Sequence, residues 1–151
     1  MIGAEDFESF YRDTLPRLEK FVVRLAGSRA IAEEIVQETY YRFLRSRFEG
    51  ASDEERRRYL YRIAVNLAKN HWSRRRSEET IDVIAHTDAS NAIDVNGVLA
   101  RMQPRERAML WLAYAEGCSH REIAEVMEVS ALSVRVLLSR ARKRFVELMS
   151  R

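Results

Sequence analysis

The chain has 151 residues, which is enough for one ordinary domain or two very small ones. It has 5 glycines, 2 prolines and 32% charged residues, so it lacks the frequent turns of a fold built from many short strands. The formal net charge is +3, and Lys20, Lys69 and Lys143 are the lysines among 26 basic residues. Arginine suits phosphate and guanine recognition, although a bias in genomic base composition explains the arginine content equally well.

A single cysteine, Cys118, excludes an internal disulfide and fits a reducing compartment. Residues 1–24 are charged throughout and contain no apolar signal-peptide core, and no apolar run approaches the ~20 residues that span a bilayer. We therefore expect a cytoplasmic protein without membrane insertion.

Charge divides the sequence into three zones. Residues 1–76 carry a net charge of +4, residues 77–93 carry four acidic and no basic residues, and residues 94–151 carry +3. The middle zone shows no sustained apolar period, which is typical of a linker. The sequence therefore predicts an all-α protein of two small helical domains, 1–76 and 94–151, joined by a flexible acidic linker, 77–93.

The first zone is predicted to form three helices. Apolar residues recur at three- and four-residue spacing over 7–25, in a helix that Pro16 should kink or restart and that ends near Gly27. A second helix is predicted over about 30–47 and a third over about 54–75.

The last zone is also predicted to be helical, with a short apolar segment near 95–102 and a helix that begins at Pro104. Ser119 and Glu122 then form a capping box for a helix that reaches Met127. A turn of about three residues follows, and a longer basic helix starts at Ala131.

This spacing is typical of a helix-turn-helix motif. The polar side of the final helix offers hydroxyls and cations that suit base edges and phosphates, namely Ser133, Arg135, Ser139, Arg140, Arg142 and Lys143. DNA binding is the favoured interpretation. An amphipathic helical hairpin with a solvated basic face is the alternative.

The second predicted helix has an acidic polar face. A spacing of 100° per residue places these side chains on one half of the helix: Glu33, Glu34, Gln37, Glu38, Tyr41 and Arg45. An acidic face is unsuited to DNA but can dock on a basic protein surface. From the helical wheel alone, a plain solvated face explains the pattern better.

The third predicted helix interleaves aromatic and basic residues. Its core side is predicted to hold Tyr59, Leu60, Ile63, Ala64 and Leu67, and its opposite side Tyr61, Arg62, Val65, Lys69, Trp72, Ser73 and Arg76. Rings that stack on bases beside cations that hold phosphates suit single-stranded DNA. Contact of Tyr61 and Trp72 with a neighbouring domain or a partner explains the pattern equally well.

The sequence offers little for catalysis or metal binding. His71, His86, His120 and Cys118 have no metal-ligand spacing, and there is no glycine-rich phosphate loop or nucleophile motif. We therefore expect no metal, no cofactor and no enzymatic activity.

Four segments together resemble the extracytoplasmic-function sigma factors of the sigma-70 family. Residues 32–40 (AEEIVQETY) are similar to the family's AEDLVQETF, and 59–71 (YLYRIAVNLAKNH), followed by Arg74, Arg75 and Arg76, to WLFRIARNLAIDH. Residues 117–125 (GCSHREIAE) are similar to GLSYEEIAE, and 139–142 (SRAR) to HRAR. The segments occur in the family's order and span nearly the whole chain.

The resemblance implies a dissociable specificity subunit that binds core RNA polymerase, recognises a two-part promoter and melts it. The polymerase contacts implied are the clamp helices of the largest subunit, through Glu33, Glu34, Gln37, Glu38 and Tyr41, and the flap. The minus-ten element would be bound by the loop 48–53 and by Tyr61, Arg62, Asn66, Lys69, Trp72 and Arg76. The minus-thirty-five element would be bound by Arg121, Ser133, Arg135, Ser139, Arg140 and Lys143. An anti-sigma factor is a further partner that the resemblance implies.

The sequence departs from the family pattern at several of these places. Ile31 replaces a frequent aspartate beside the acidic face, and Leu132, Val136 and Leu137 interrupt the usual polar pattern of the last helix. A stand-alone helix-turn-helix regulator would account for 104–151 but leaves the other two faces unexplained. An enzyme with an appended DNA-binding domain lacks candidate catalytic residues.

Overall fold

The computed structural model describes residues 3–46, 52–75 and 95–150, and these ranges contain helices and no strand. The helices are α1 (Ala4–Ala26), α2 (Arg29–Arg45), α3 (Asp53–Arg75), α4 (Val95–Ala100), α5 (Pro104–Tyr114), α6 (His120–Met127) and α7 (Ala131–Met149). The all-α prediction is confirmed. Within the described ranges, no helix has the length and apolar character needed to cross a membrane.

Helices α1, α2 and α3 form a bundle around their apolar stripes. The fully buried side chains include Leu18, Phe21 and Leu25 of α1, Ile35 of α2, and Leu60 and Val65 of α3. At the other end of the bundle, Phe10 stacks on Phe43 with ring centroids 4.9 Å apart. The helical period predicted this packing, because residues three and four apart share one side of a helix.

Pro16 was expected to kink or restart the first helix. Helix α1 does not restart there, because it is continuous over Ala4–Ala26 with Pro16 inside it. Proline removes one backbone hydrogen bond, whose acceptor would be the carbonyl of Arg12. Both residues are exposed, so water can bind the freed carbonyl. Nearby, a buried hydrogen bond of 2.6 Å between the hydroxyls of Thr14 and Tyr40 ties α1 to α2.

Helices α4 to α7 form a second group around another apolar centre. Met109 and Leu112 of α5, Ile123 and Met127 of α6, and Leu138 of α7 are each almost completely buried there. The short α4 contributes Val98 and Leu99. The predicted starts of α5, α6 and α7 agree with the structure.

The two groups pack directly against each other. Phe21 of α1 contacts Trp111 of α5, with ring centroids 6.4 Å apart. The last turn of α1 has carbonyls without partners inside the helix, and side chains from elsewhere satisfy two of them. Arg107 of α5 donates to the Arg24 carbonyl at 2.9 Å, and Trp72 of α3 donates to the Leu25 carbonyl at 3.0 Å.

Candidate functional site

The acidic face of α2 is open to solvent. Its predicted members Glu33, Glu34, Gln37, Glu38 and Tyr41 are all exposed, whereas the opposite side of the helix is buried. Glu38 pairs with Arg42 along the helix at 2.9 Å. Ile31, the departure from the family pattern, is half-buried against the core rather than part of this face.

Helices α6 and α7 form the predicted helix-turn-helix. The Ser119 hydroxyl accepts from the Glu122 amide at 3.2 Å, and the Glu122 carboxylate accepts from the Ser119 amide at 2.9 Å. Ser130 caps α7 by accepting from the Ser133 amide at 3.1 Å. These caps bind amides that the first turn leaves without partners, which fixes where each helix begins.

The outward side of the motif carries its basic and hydroxyl residues. All six predicted duplex-binding residues are exposed, namely Arg121, Ser133, Arg135, Ser139, Arg140 and Lys143. Two large apolar side chains also lie exposed among them. Leu132 is 77% exposed and Val136 is 51% exposed. Leu137, the third departure in the last helix, is half-buried.

The placement of Tyr61 contradicts the helical-wheel expectation. Tyr61 is 3% exposed and packs on Phe21 with ring centroids 5.0 Å apart. Its hydroxyl donates to the Glu116 carboxylate at 2.6 Å. Burial raises the pKa of the tyrosine, and this hydrogen bond raises it further. Val65, assigned to the same outer side, is fully buried. The reason is that α3 is covered on two sides, by α1 and α2 and by the second group.

The polar residues predicted on α3 also face the second group. Arg62 and Asn66 both donate to the Glu128 carboxylate, at 2.7 and 3.1 Å. Lys69 donates to the Met127 carbonyl at 3.3 Å. Trp72 is half-buried, with its indole N–H bound at the end of α1. The predicted single-strand surface is therefore an interface between the two groups in this structure.

Two of the surfaces in this interface carry opposite charge. The α3 basic face comprises Arg58, Arg62 and Lys69, with the amide of Asn66 between them. The α6 acidic edge comprises Glu122 and Glu125 of the helix and Glu128 at its C-cap. Arg58 contacts Glu122 at 2.8 Å and Glu125 at 3.0 Å. Hydrogen bonds from Arg62 and then Asn66 lower the pKa of Glu128. A groove of about 490 Å³ remains open along this contact.

Arg58 and the α6 acidic edge were not predicted as functional residues. A signal was present, since the glutamates recur every three residues through α6 and its C-cap, and Arg58, Arg62, Asn66 and Lys69 recur every three or four residues on α3. Both spacings put the charges on one side of a helix. The sequence does not show which helices meet, so the complementarity becomes visible only in the fold.

Some predicted elements lie outside the described residues. These are Arg76, the segment 48–51 of the loop before α3, and the whole of the linker 77–93. The described ranges contain no group of three or more histidine, cysteine, aspartate or glutamate side chains placed to hold a metal ion.

Two family profiles match consecutive parts of the chain. The profile described as Sigma-70 region 2 matches residues 10–78, and the profile described as Sigma-70, region 4 matches residues 94–145. Their order is the order of the two helical groups along the chain.

Individual proteins resemble the chain over almost its full length. RNA polymerase sigma factor CarQ of Myxococcus xanthus is 27% identical over 162 residues, covering 97% of this chain and 91% of CarQ. The fold is similar to that of the sigma factor RpoE in a complex with the anti-sigma factor NepR from Bartonella quintana. That match has a TM-score of 0.74, 21% identity, and coverage of 97% of this chain and 98% of RpoE. The PhyRSL–NepR complex from Sphingomonas sp. Fr1 matches with a TM-score of 0.69 and 23% identity, covering 93% and 87% of the two chains.

Proposed function

We propose specific roles for three surfaces of this chain, which belongs to the sigma-70 family and is an RNA polymerase sigma factor of the extracytoplasmic-function type. The acidic face of α2 binds the clamp helices of the polymerase largest subunit. Helix α3 and the loop before it bind the melted minus-ten element. The helix-turn-helix binds the minus-thirty-five element. In this division, residues 1–76 and 94–151 act as two domains joined by 77–93.

The exposure of the α2 acidic face is the observation that carries the polymerase assignment. Glu33, Glu34 and Glu38 contribute nothing to the buried core, so their side chains are available to a partner. Three carboxylates on one exposed side favour a basic partner surface and disfavour DNA.

The exposed residues of α6 and α7 support the duplex assignment. The N-terminal part of a recognition helix approaches base edges, and flanking cations bind phosphates. Ser133 and Arg135 occupy the first part of α7, and Arg140 and Lys143 extend the basic side along it.

The remaining assignments follow from the proposed roles. The protein would act in the cytoplasm as a non-catalytic subunit of the polymerase. RpoE of Bartonella quintana was solved with an anti-sigma factor, which supports a similar form of control for this chain. Sequestration would be detected as a second protein that co-purifies from the native cell. Isolation of the chain always free and active would argue against it.

The polymerase assignment is tested by reversing charge on α2. We expect Glu34→Lys with Glu38→Lys to weaken binding to purified core polymerase at least tenfold, measured by fluorescence anisotropy of the labelled chain. The matched control is Glu5→Lys with Glu8→Lys at two exposed positions of α1, where Glu8 pairs with Arg12 at 3.0 Å as Glu38 pairs with Arg42. Equal binding by both double variants would refute the assignment, provided that both keep wild-type helicity.

A further inference from the structure

Two large apolar side chains stand at the start of the recognition helix, where polar side chains would be expected. Leu132 and Val136 are the second and sixth residues of α7 and are one helical turn apart, so they share one side. Both are more than half exposed. They lie among Ser133, Arg135 and Arg140, so the surroundings fit a polyanion better than an apolar protein partner.

We propose that Leu132 and Val136 read the C5-methyl groups of thymines in the minus-thirty-five element. The argument rests on the proposed duplex role of α7. In the major groove a thymine presents a methyl group that other bases lack, and apolar side chains contact it. The first two turns of a recognition helix are the part that reaches base edges. The two residues thus set a base preference, while the cations around them supply affinity.

Replacing thymine by uracil tests this proposal, because it removes only the methyl group. The element is first selected from random duplex DNA with the full chain bound to core polymerase, and each thymine is then replaced in turn. We expect about fourfold weaker binding at one or more positions, and this penalty should disappear in Leu132→Ala or Val136→Ala.

Val146→Ala is the control, since Val146 is 60% exposed at the far end of the same helix and should retain the uracil penalty. Selection of an element without thymines, or an equal penalty in all variants, would overturn the proposal. Failure to select any duplex would instead refute the DNA-binding function on which it rests.

A separate observation concerns the contact between α3 and α6. The α3 basic face meets three carboxylates of the α6 acidic edge with partner distances between 2.7 and 3.1 Å. A DNA strand would offer phosphate oxygens to the same donors. Carboxylate and phosphate oxygens accept charge-assisted hydrogen bonds from arginine in a similar way. The two ligands therefore compete for one surface.

We infer that the α6 acidic edge holds the two helical groups closed over the α3 basic face in the free protein. Melted minus-ten DNA can then bind only after the groups separate, which makes the contact autoinhibitory. The inference rests on the proposed role of α3. The duplex-binding side of α7 stays exposed in the closed arrangement, so region 4 is not blocked in the same way.

A covalent lock tests the inference with the full chain. Arg58→Cys and Glu125→Cys, in a Cys118→Ser background, are joined by a short bis-maleimide, and the control is the same variant capped with N-ethylmaleimide. We expect both forms to bind core polymerase, and the locked form to give at least tenfold fewer transcripts from fragments of the native genome. Equal transcription by the two forms would overturn the inference. Absence of transcripts from the wild-type chain would refute the sigma function itself.

Discussion

The buried hydroxyl of Tyr61 provides a direct test of how the two helical groups pack. Tyr61 belongs to α3, and its hydrogen-bond partner Glu116 lies after α5, so the bond joins the two groups. The Glu116 side chain is 4% exposed. Besides Tyr61, it has Trp111 Nε1 at 3.3 Å and the Arg17 guanidinium at 3.7 Å. We therefore expect Tyr61→Phe to destabilise the fold.

The magnitude follows from the loss of one hydrogen bond to a buried charge. Such bonds contribute about 1.5–3 kcal/mol, and phenylalanine keeps the ring packing on Phe21. For a protein of this size, that loss corresponds to a decrease in Tm of roughly 3–12 °C. Glu116→Gln should cost less when Tyr61 is already phenylalanine, because the two residues share one interaction.

Urea unfolding followed by circular dichroism measures the effect. The control is Tyr114→Phe, since Tyr114 is 65% exposed and its hydroxyl accepts from Arg142 at 3.4 Å. That control should change the free energy of unfolding by less than about 0.5 kcal/mol. If Tyr61→Phe is equally neutral but impairs promoter melting, the packing described for Tyr61 is wrong and the residue faces the DNA strand.

Three further predictions concern the helix-turn-helix and its contact with α3. Ser119→Ala removes the cap on the Glu122 amide and should lower the free energy of unfolding by about 1 kcal/mol, measured in urea, whereas Ser119→Asp should retain most of it. Gly117→Ala should cost about 1–2 kcal/mol in the same measurement, because φ is +66° while no atom lies within 4 Å of the added methyl group. Glu128→Gln should lower stability only where Glu128 is ionised. The pKa of Glu128 is lowered from 4.5 by its bond to Arg62, so its contribution is complete above about pH 4.5 and is lost as pH falls through the lowered pKa. Unfolding at a series of pH values should therefore show the variant and wild type converging in acid, and a constant difference would contradict the ion pair.

The sequence was most informative where a signal is local. Capping at Ser119 and Ser130 depends on residues within one turn, and the helix boundaries there agreed with the prediction. Helix α2 was predicted over about 30–47 and is observed over Arg29–Arg45, with its acidic face exposed as expected. These features follow from short-range chemistry and the helical period.

The sequence was least informative for α3. A helical wheel sorts residues into one inner and one outer side, but α3 packs on both the N-terminal bundle and the second group. Tyr61 and Val65 were therefore placed on the side opposite the core, although both are buried. The ion pairs of Arg58 join residues more than sixty positions apart in the sequence. A single sequence does not show that such residues lie close together in space.

The single left-handed non-glycine residue in the described ranges is Glu128, with φ of 56°, at the turn between the two DNA-motif helices. A side chain in that conformation costs roughly 1–2 kcal/mol, and glycine would relieve it. Glycine would also leave Arg62 and Asn66 without their carboxylate. Glu128 thus affects both the geometry of the helix-turn-helix and the contact between the two helical groups. A substitution such as Glu128→Gly, which relieves the backbone strain in this turn, should also make the two helical groups easier to separate.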